Sequence, residues 1–109
     1  MKKTILLAAI IGLGAAMSAS ASDAKTTFNT SCAMCHGKDG KGDTKAGQML
    51  HAPDFTDAKT QAKLKDDTML KAIKEGIKDK DGRLKMKAFP NLSDEEAKAL
   101  VQHVRSFKK

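Results

Sequence analysis

The stretch CAMCHGKDGKGD, residues 32–43, contains both cysteines of the chain, Cys32 and Cys35, and His36 directly follows the second. Two thiols separated by two residues can form a redox disulfide, contribute to a metal site or attach a larger group covalently. The rest of the chain has to distinguish these three chemistries, because each predicts a different fold and a different function.

The N-terminal residues have the three-part layout of a secretory signal peptide. A short basic start, residues 1–4, precedes an apolar run from Ile5 to Ala16, and a group of small residues ends at Ala21. The apolar run is shorter than the roughly 20 residues that a membrane-spanning helix needs, and no cysteine stands at the cleavage position to accept a lipid. We therefore expect residues 1–21 to be cleaved during export, residues 22–109 to form one domain, and no membrane span to remain.

The exported part of the chain has few large apolar side chains. The sequence contains no Trp, no Tyr and only four Phe. A domain this small buries about 60% of the surface of its unfolded chain and often depends on disulfides or a metal. A bridge between Cys32 and Cys35 closes almost no loop and would add little stability. The composition therefore predicts that a bound group completes the core.

The chain is basic, with 20 Lys and Arg against 13 Asp and Glu and a formal net charge of +7. A positive excess suits an acidic protein partner, nucleic acid or an anionic membrane surface. The export signal argues against nucleic acid, and no DNA- or RNA-binding motif is present. Because the basic residues are interspersed with acids, most of them are expected to form an ordinary solvated surface.

Apolar spacing predicts an all-α domain with three main helices. The first is expected to be capped by Ser22 and to run from Asp23 to about Cys35. The second begins near Asp66, and Gly76 is its expected stop. The third starts with a capping box over residues 93–96. Its apolar face carries Ala97, Leu100, Val101, Val104 and Phe107.

The connections between these helices are long. Residues 37–47 contain four glycines and are expected to form a loop that continues through residues 52–55. A short helical turn capped by Thr56 follows, and residues 78–90 show neither helical nor strand spacing, so an irregular strap is expected there. Long connections without regular structure usually belong to a binding function in a compact domain.

Two of the three chemistries fit the cysteine cluster poorly. Redox-active Cys-x-x-Cys pairs accompany a βαβ pattern, which this chain lacks. A structural zinc site needs four ligands, usually from two separated clusters, and there is no second cysteine pair. His36 is also badly placed to join both neighbouring thiolates around one ion.

Cys-x-x-Cys-His is the attachment motif of a covalently bound c-type haem. Two thiols at the end of a helix can add to the two vinyl groups on one porphyrin edge, and His36 then presents an imidazole nitrogen to the iron. Export fits this interpretation, because such attachment takes place outside the cytoplasm, and a haem would supply the missing core. We therefore predict one haem c, attached through Cys32 and Cys35 and ligated by His36.

The sixth iron ligand decides between electron transfer and ligand chemistry. The candidates after residue 21 are Met34, Met49, His51, Met69, Met86 and His103. Met86 is favoured, because it lies fifty residues after His36 in irregular chain that could wrap round the opposite face of the ring. The alternative role for Met86 is that of a core methionine filling a gap. A thioether favours ferrous iron, so His/Met ligation predicts a raised reduction potential.

These residues resemble the small class I monohaem cytochromes c of bacteria over nearly all of residues 22–109. CAMCHGKDGKGD is similar to the family's haem-attachment segment, APDF (residues 52–55) to the following loop, and residues 84–107 to the methionine strap and C-terminal helix. The resemblance implies the cytochrome c fold, with three main helices and a short one wrapped around the haem. It also implies that the carbonyl oxygen of Pro53 accepts a hydrogen bond from the N–H of His36.

Two positions depart from the family pattern. Lys87 follows Met86, where the family usually has proline, and this difference affects the rigidity of the strap. His103 replaces the aromatic residue usual where the first and last helices cross, beside Phe28. A histidine there can loosen the crossing or make it sensitive to pH.

The expected function is that of a soluble, periplasmic, monomeric electron carrier rather than an enzyme, passing single electrons between larger redox proteins. The alternative is a haem enzyme or sensor with a labile or open sixth position, and a thiol–disulfide oxidoreductase is a distant third. Four lysines flank the two haem-contacting segments and could form a docking face for an acidic partner, although a solvated surface is equally compatible with them. They are Lys38, Lys41, Lys85 and Lys87.

Overall fold

The computed structural model describes residues 21–109. The expected signal peptide lies outside the described residues apart from Ala21, which begins the first helix and places Ser22 inside that helix rather than at its cap. The elements are α1 Ala21–Ser31, α2 Ala33–His36, α3 Lys45–Leu50, α4 Ala58–Lys63, α5 Asp66–Glu75, β1 Ile77–Lys78, β2 Leu84–Met86 and α6 Asp94–Arg105. The domain is therefore mostly helical, as expected. No helix within residues 21–109 is long and apolar enough to cross a membrane.

The first and last helices, α1 and α6, pack against each other at the centre of the core. Phe28 is 2% exposed, and its ring centroid lies 5.0 Å from that of His103 and 5.2 Å from that of Phe107. The expected contact of Phe28 with His103 is confirmed. The C-terminus closes over the same region, because the backbone N–H of Lys109 donates to the carbonyl oxygen of Thr56 at 3.1 Å. The buried core consists of Ala24, Phe28, Phe55, Met69, Ile73, Ala97, Leu100, Val101 and Val104.

The start of α6 is the capping box that the sequence predicts. The hydroxyl oxygen of Ser93 accepts from the N–H of Glu96 at 3.1 Å, and Oε1 of Glu96 accepts from the N–H of Ser93 at 2.8 Å. These two bonds satisfy backbone donors that would otherwise lack partners at a helix N-terminus. The cap thus fixes where the helix begins.

Two polar side chains tie α6 to α4 and α5. Nη1 of Arg105 donates to the side-chain Oε1 and the carbonyl oxygen of Gln61 at 2.9 and 2.7 Å, and its Nη2 donates to Asp66 at 2.8 Å. Gln61 is only 4% exposed. Its Nε2 donates to the carbonyl oxygens of Phe55 at 2.7 Å and Val104 at 2.8 Å. Every polar atom of this buried amide therefore has a partner, as burial requires.

The attachment segment is folded more tightly than the sequence suggests. The expected single helix over residues 23–35 is interrupted at Cys32, which separates α1 from α2 with φ −118° and ψ −25°. The expected loop over residues 37–47 includes the start of α3, where the Thr44 hydroxyl caps the helix by accepting from the N–H of Gly47 at 2.9 Å. A Cβ on Gly47 would collide with the Cys35 carbonyl oxygen. Gly47 is therefore a packing residue that lets α3 approach α2, rather than a loop residue.

Two further helix boundaries are displaced by one residue. Asp57 rather than Thr56 caps α4, by accepting from the N–H three residues later at 3.1 Å. Asp66 is the first residue of α5 rather than its cap, and its carboxylate binds Arg105 instead. The expected stop at Gly76 is confirmed, with φ 79° at the end of α5.

The expected irregular strap, residues 78–90, begins as part of a short β-hairpin, so its first half is more regular than predicted. The strands β1 and β2 are antiparallel, with Ile77 opposite Met86 and Lys78 opposite Leu84, and a bulge between the two pairs. The Oδ1 atom of Asp79 stabilises the turn by accepting two backbone N–H groups, each at 2.9 Å. Strands this short cannot show the alternation by which a strand is recognised in sequence.

Candidate functional site

A cavity of about 440 Å³ brings together the side chains that the sequence singled out. Cys32, Cys35, His36, Pro53 and Met86 all line it. The end of α1 with α2, the segment after α3 and the strap each contribute part of its wall. Its volume lies within the range of about 300–1,000 Å³ that is usual for cofactor sites. The remaining lining residues are Thr30, Ser31, Met34, Leu50, His51, Ala52, Ile77, Lys85, Lys87 and Phe89.

The two cysteines are half-buried thiols that are not joined by a disulfide. Burial, and secondarily the neighbouring Cys35, raises the pKa of the Cys32 thiol to about 11. Cysteines that carry out disulfide exchange are activated by a lowered pKa instead. Cys32 is therefore a neutral thiol at pH 7 and lacks the activation that a thiol–disulfide oxidoreductase requires.

His36 ends α2 and places a neutral imidazole at the cavity. Burial lowers the pKa of this imidazole, so the ring is uncharged at pH 7, the form in which histidine binds metals. Its Nδ1 is buried without a hydrogen-bond partner among the described residues. Buried nitrogens are rarely left unpaired in proteins, and an orphaned one beside a cavity fits a histidine that serves a bound group. Pro53 lines the same cavity, but its carbonyl oxygen accepts no hydrogen bond from this nitrogen, so the contact that the resemblance implies is not observed.

Packing holds the imidazole in place. The ring of Phe55 stacks on that of His36, with centroids 5.0 Å apart and planes 20° apart. The backbone of Phe55 is tied on both sides, because its N–H donates to the Gly40 carbonyl oxygen at 2.8 Å and its own carbonyl oxygen accepts from Gln61. The sequence did not single out Phe55 or Gln61. Phe55 is one of only four aromatic side chains and could have been suspected on that ground, whereas a glutamine in a short helix gives no signal.

Met86 reaches the cavity from β2 and is partly buried against the core. Met69, by contrast, is 8% exposed within the core and does not line the cavity, and His103 lies outside it, against Phe28. Met34 lines the cavity but is 81% exposed. Of the methionines within residues 21–109, Met86 is therefore the one that both lines the cavity and is partly buried.

Lysines stand at the cavity, but fewer than the sequence suggested. Lys85 and Lys87 belong to its lining, and the Nζ of Lys87 lies 5.4 Å from the centroid of the Phe89 ring. Lys38 and Lys41 are exposed and are not among the lining residues. The basic character of the site thus comes from the strap on either side of Met86.

The donors around this cavity fit a c-type haem: two thiols three positions apart, a neutral imidazole and a thioether. The sequence model of the family described as Cytochrome c matches residues 21–108. Among solved structures, the c-type cytochrome KustC0563 is 39% identical at a TM-score of 0.67, over 79% of this chain and 98% of that one. A tyrosine-to-phenylalanine mutant of Kustc0563 is 40% identical at a TM-score of 0.66, over 79% of this chain and 99% of that one. No curated protein matches the sequence significantly. The chain therefore belongs to the cytochrome c family and is a small monohaem c-type cytochrome, an electron carrier with a covalently bound haem.

Proposed function

We propose that residues 22–109 form a periplasmic carrier of single electrons, in which Cys32 and Cys35 attach the haem and His36 and Met86 ligate its iron. The observation that carries this proposal is that these four side chains line one cavity. The signal-peptide pattern of residues 1–21 supports export, and the periplasm is the compartment that such a leader serves in bacteria.

When bound, the haem would supply a one-electron couple between ferrous and ferric iron, which would let the protein accept one electron from a donor protein and pass one to an acceptor. The chain's own residues set the reduction potential of that couple. The thioether of Met86 is a soft, neutral ligand that favours the ferrous state. Burial in the cavity disfavours the additional positive charge of the ferric state. Both effects raise the reduction potential.

With both His36 and Met86 bound, the iron would have no position left for a substrate, and the protein would act as a carrier rather than an enzyme. The partners would be larger redox proteins that a monomer meets transiently. Lys85 and Lys87 at the cavity, together with the exposed Lys38 and Lys41, suit an acidic docking face on such a partner. Reaction rates with redox partners should then fall as ionic strength rises, and salt-independent rates would contradict this docking face.

Absorption spectra of the purified holoprotein test the ligand assignment. The wild type should be low-spin with a sulfur-to-iron charge-transfer band in the near infrared, and Met86→Ala should lose that band and have a lower potential. Met34→Ala is the matched control, because Met34 lines the same cavity but is 81% exposed. A band that survives Met86→Ala contradicts the assignment. A high-spin wild type would instead support a haem enzyme or sensor with an open sixth position.

A further inference from the structure

Lys87, which follows Met86 in the strap, does not stiffen the chain as a proline would, so other contacts have to restrain the methionine. We propose that Gly76 does this as a positioning residue: because it has no side chain, the end of α5 rests directly on the backbone of residues 86–88 and keeps Met86 at the cavity. This inference rests on the proposed function, in which Met86 ligates the haem iron.

Gly76 lies closer to the strap than any other residue type allows. A Cβ added to it would stand 2.6 Å from the Met86 carbonyl oxygen and 2.9 Å from the backbone nitrogen of Ala88. Both neighbours are backbone atoms, which cannot rotate aside as the tip of a flexible side chain would. Gly76 also has φ 79°, a conformation that disfavours residues with a Cβ. A larger residue here would therefore push the strap away from α5.

Hydrogen-bonded ties flank this close contact on both sides. On one side, Ile77 pairs with Met86 in the hairpin. On the other, the N–H of Phe89 donates to the carbonyl oxygen of Ile73 at 2.8 Å, and Ile73 is 7% exposed within the core. The strap is thus attached to β1 at one end of the segment that Gly76 supports and to α5 at the other, and α5 itself packs on α6.

These attachments supply what a proline would supply. A proline restricts the residue before it to extended backbone and thereby limits the freedom of the ligand methionine. In this chain, strand pairing imposes extended backbone on Met86, and the contact with Gly76 fixes how far that strand stands from α5. Restraint of the strap thus comes from a tertiary contact rather than from a proline ring.

The hairpin contains its own matched control for an experiment. Gly82, in the turn, has φ 83°, and nothing lies within 4 Å of an added Cβ. Gly76→Ala and Gly82→Ala both place a Cβ at positive φ, and only the first meets the strap. In the ferric holoprotein we expect Gly76→Ala to weaken or lose the sulfur-to-iron band and to bind imidazole, a competitor of Met86, at least about tenfold more tightly. Gly82→Ala should keep the band and stay within about twofold of the wild-type affinity.

The possible outcomes separate this inference from the proposed function. Wild-type band and imidazole affinity in Gly76→Ala would overturn the positioning role, and so would an equal loss in Gly82→Ala, which would indicate general loosening of the hairpin. A wild type without the band would overturn Met86 ligation itself and the role of Gly76 with it. If circular dichroism shows that Gly76→Ala does not fold, the comparison with Gly82→Ala is repeated in trimethylamine N-oxide, which stabilises folded chains because it is excluded from their surface.

Discussion

Replacing Gln61 by leucine removes a buried amide that joins three parts of the fold. Its Nε2 donates to the carbonyl oxygens of Phe55 at 2.7 Å and Val104 at 2.8 Å, and its Oε1 accepts from Arg105 at 2.9 Å. Water cannot easily replace these bonds, because Gln61 is 4% exposed. The Phe55 carbonyl oxygen would be left without a donor, which costs about 1–3 kcal/mol. The Val104 carbonyl oxygen keeps the N–H of Phe107 at 3.2 Å and loses only a second bond, which costs about 1 kcal/mol. The greater apolar burial of leucine offsets roughly 1 kcal/mol. We therefore expect Gln61→Leu to lower the free energy of unfolding by about 1–3 kcal/mol.

Urea unfolding of the holoprotein, followed by far-UV circular dichroism, measures this loss. Gln48→Leu is the matched control, because the Nε2 of Gln48 also donates to a backbone carbonyl, that of Asp43 at 3.0 Å, but at an exposed position. Its effect should stay within about 0.5 kcal/mol. A loss below about 1 kcal/mol in Gln61→Leu, or equal losses in the two variants, would refute the reasoning.

Two further variants test the backbone and the helix crossing. His51 has the left-handed dihedral angles φ 59° and ψ 44° at the end of α3. Glycine adopts this conformation more readily than histidine, so His51→Gly should raise the free energy of unfolding by about 0.5 kcal/mol. A lower free energy of unfolding, measured with urea, would contradict this prediction. Burial, and secondarily the charge of Lys25, lowers the pKa of the His103 imidazole. As the pH falls, the imidazole is therefore protonated in the unfolded chain before it is protonated in the folded protein. The free energy of unfolding should then decrease as the pH drops below about 6.5. His103→Phe should make that fall shallower, and unchanged pH dependence of the melting temperature would count against it.

The parts of the fold that the sequence predicted are those with local signals. The cluster of Cys32, Cys35 and His36, the capping box at Ser93 and the stop at Gly76 each follow from residue types at fixed spacing, and the structure places the cluster at a cavity and the two boundaries as expected. Such features need no knowledge of distant residues, because the interacting groups lie within a few positions of one another.

What the sequence missed depends on contacts between distant segments. Gly47 looks like a loop glycine, and only the approach of α3 to Cys35 shows that it belongs to a helix. In the hairpin, Met86 pairs with Ile77, nine residues earlier in the chain. Neither strand is long enough to show alternating apolar and polar residues in the sequence. Phe55 and Gln61 act at the site through stacking and through bonds to α6, which no short motif encodes.

The contact of Phe107 with Phe28 also has a consequence for the order in which the molecule is made. Phe107 lies 5.2 Å from Phe28, just ahead of Cys32, and the N–H of Lys109 binds Thr56. Contacts between residues so far apart in sequence form late, because a long loop must be closed first. A chain emerging N-terminus first therefore presents both thiols in an open segment until its last residues arrive. The thiols can be modified in that interval, and docking of the C-terminal end then completes the packing around Phe28, four residues before Cys32.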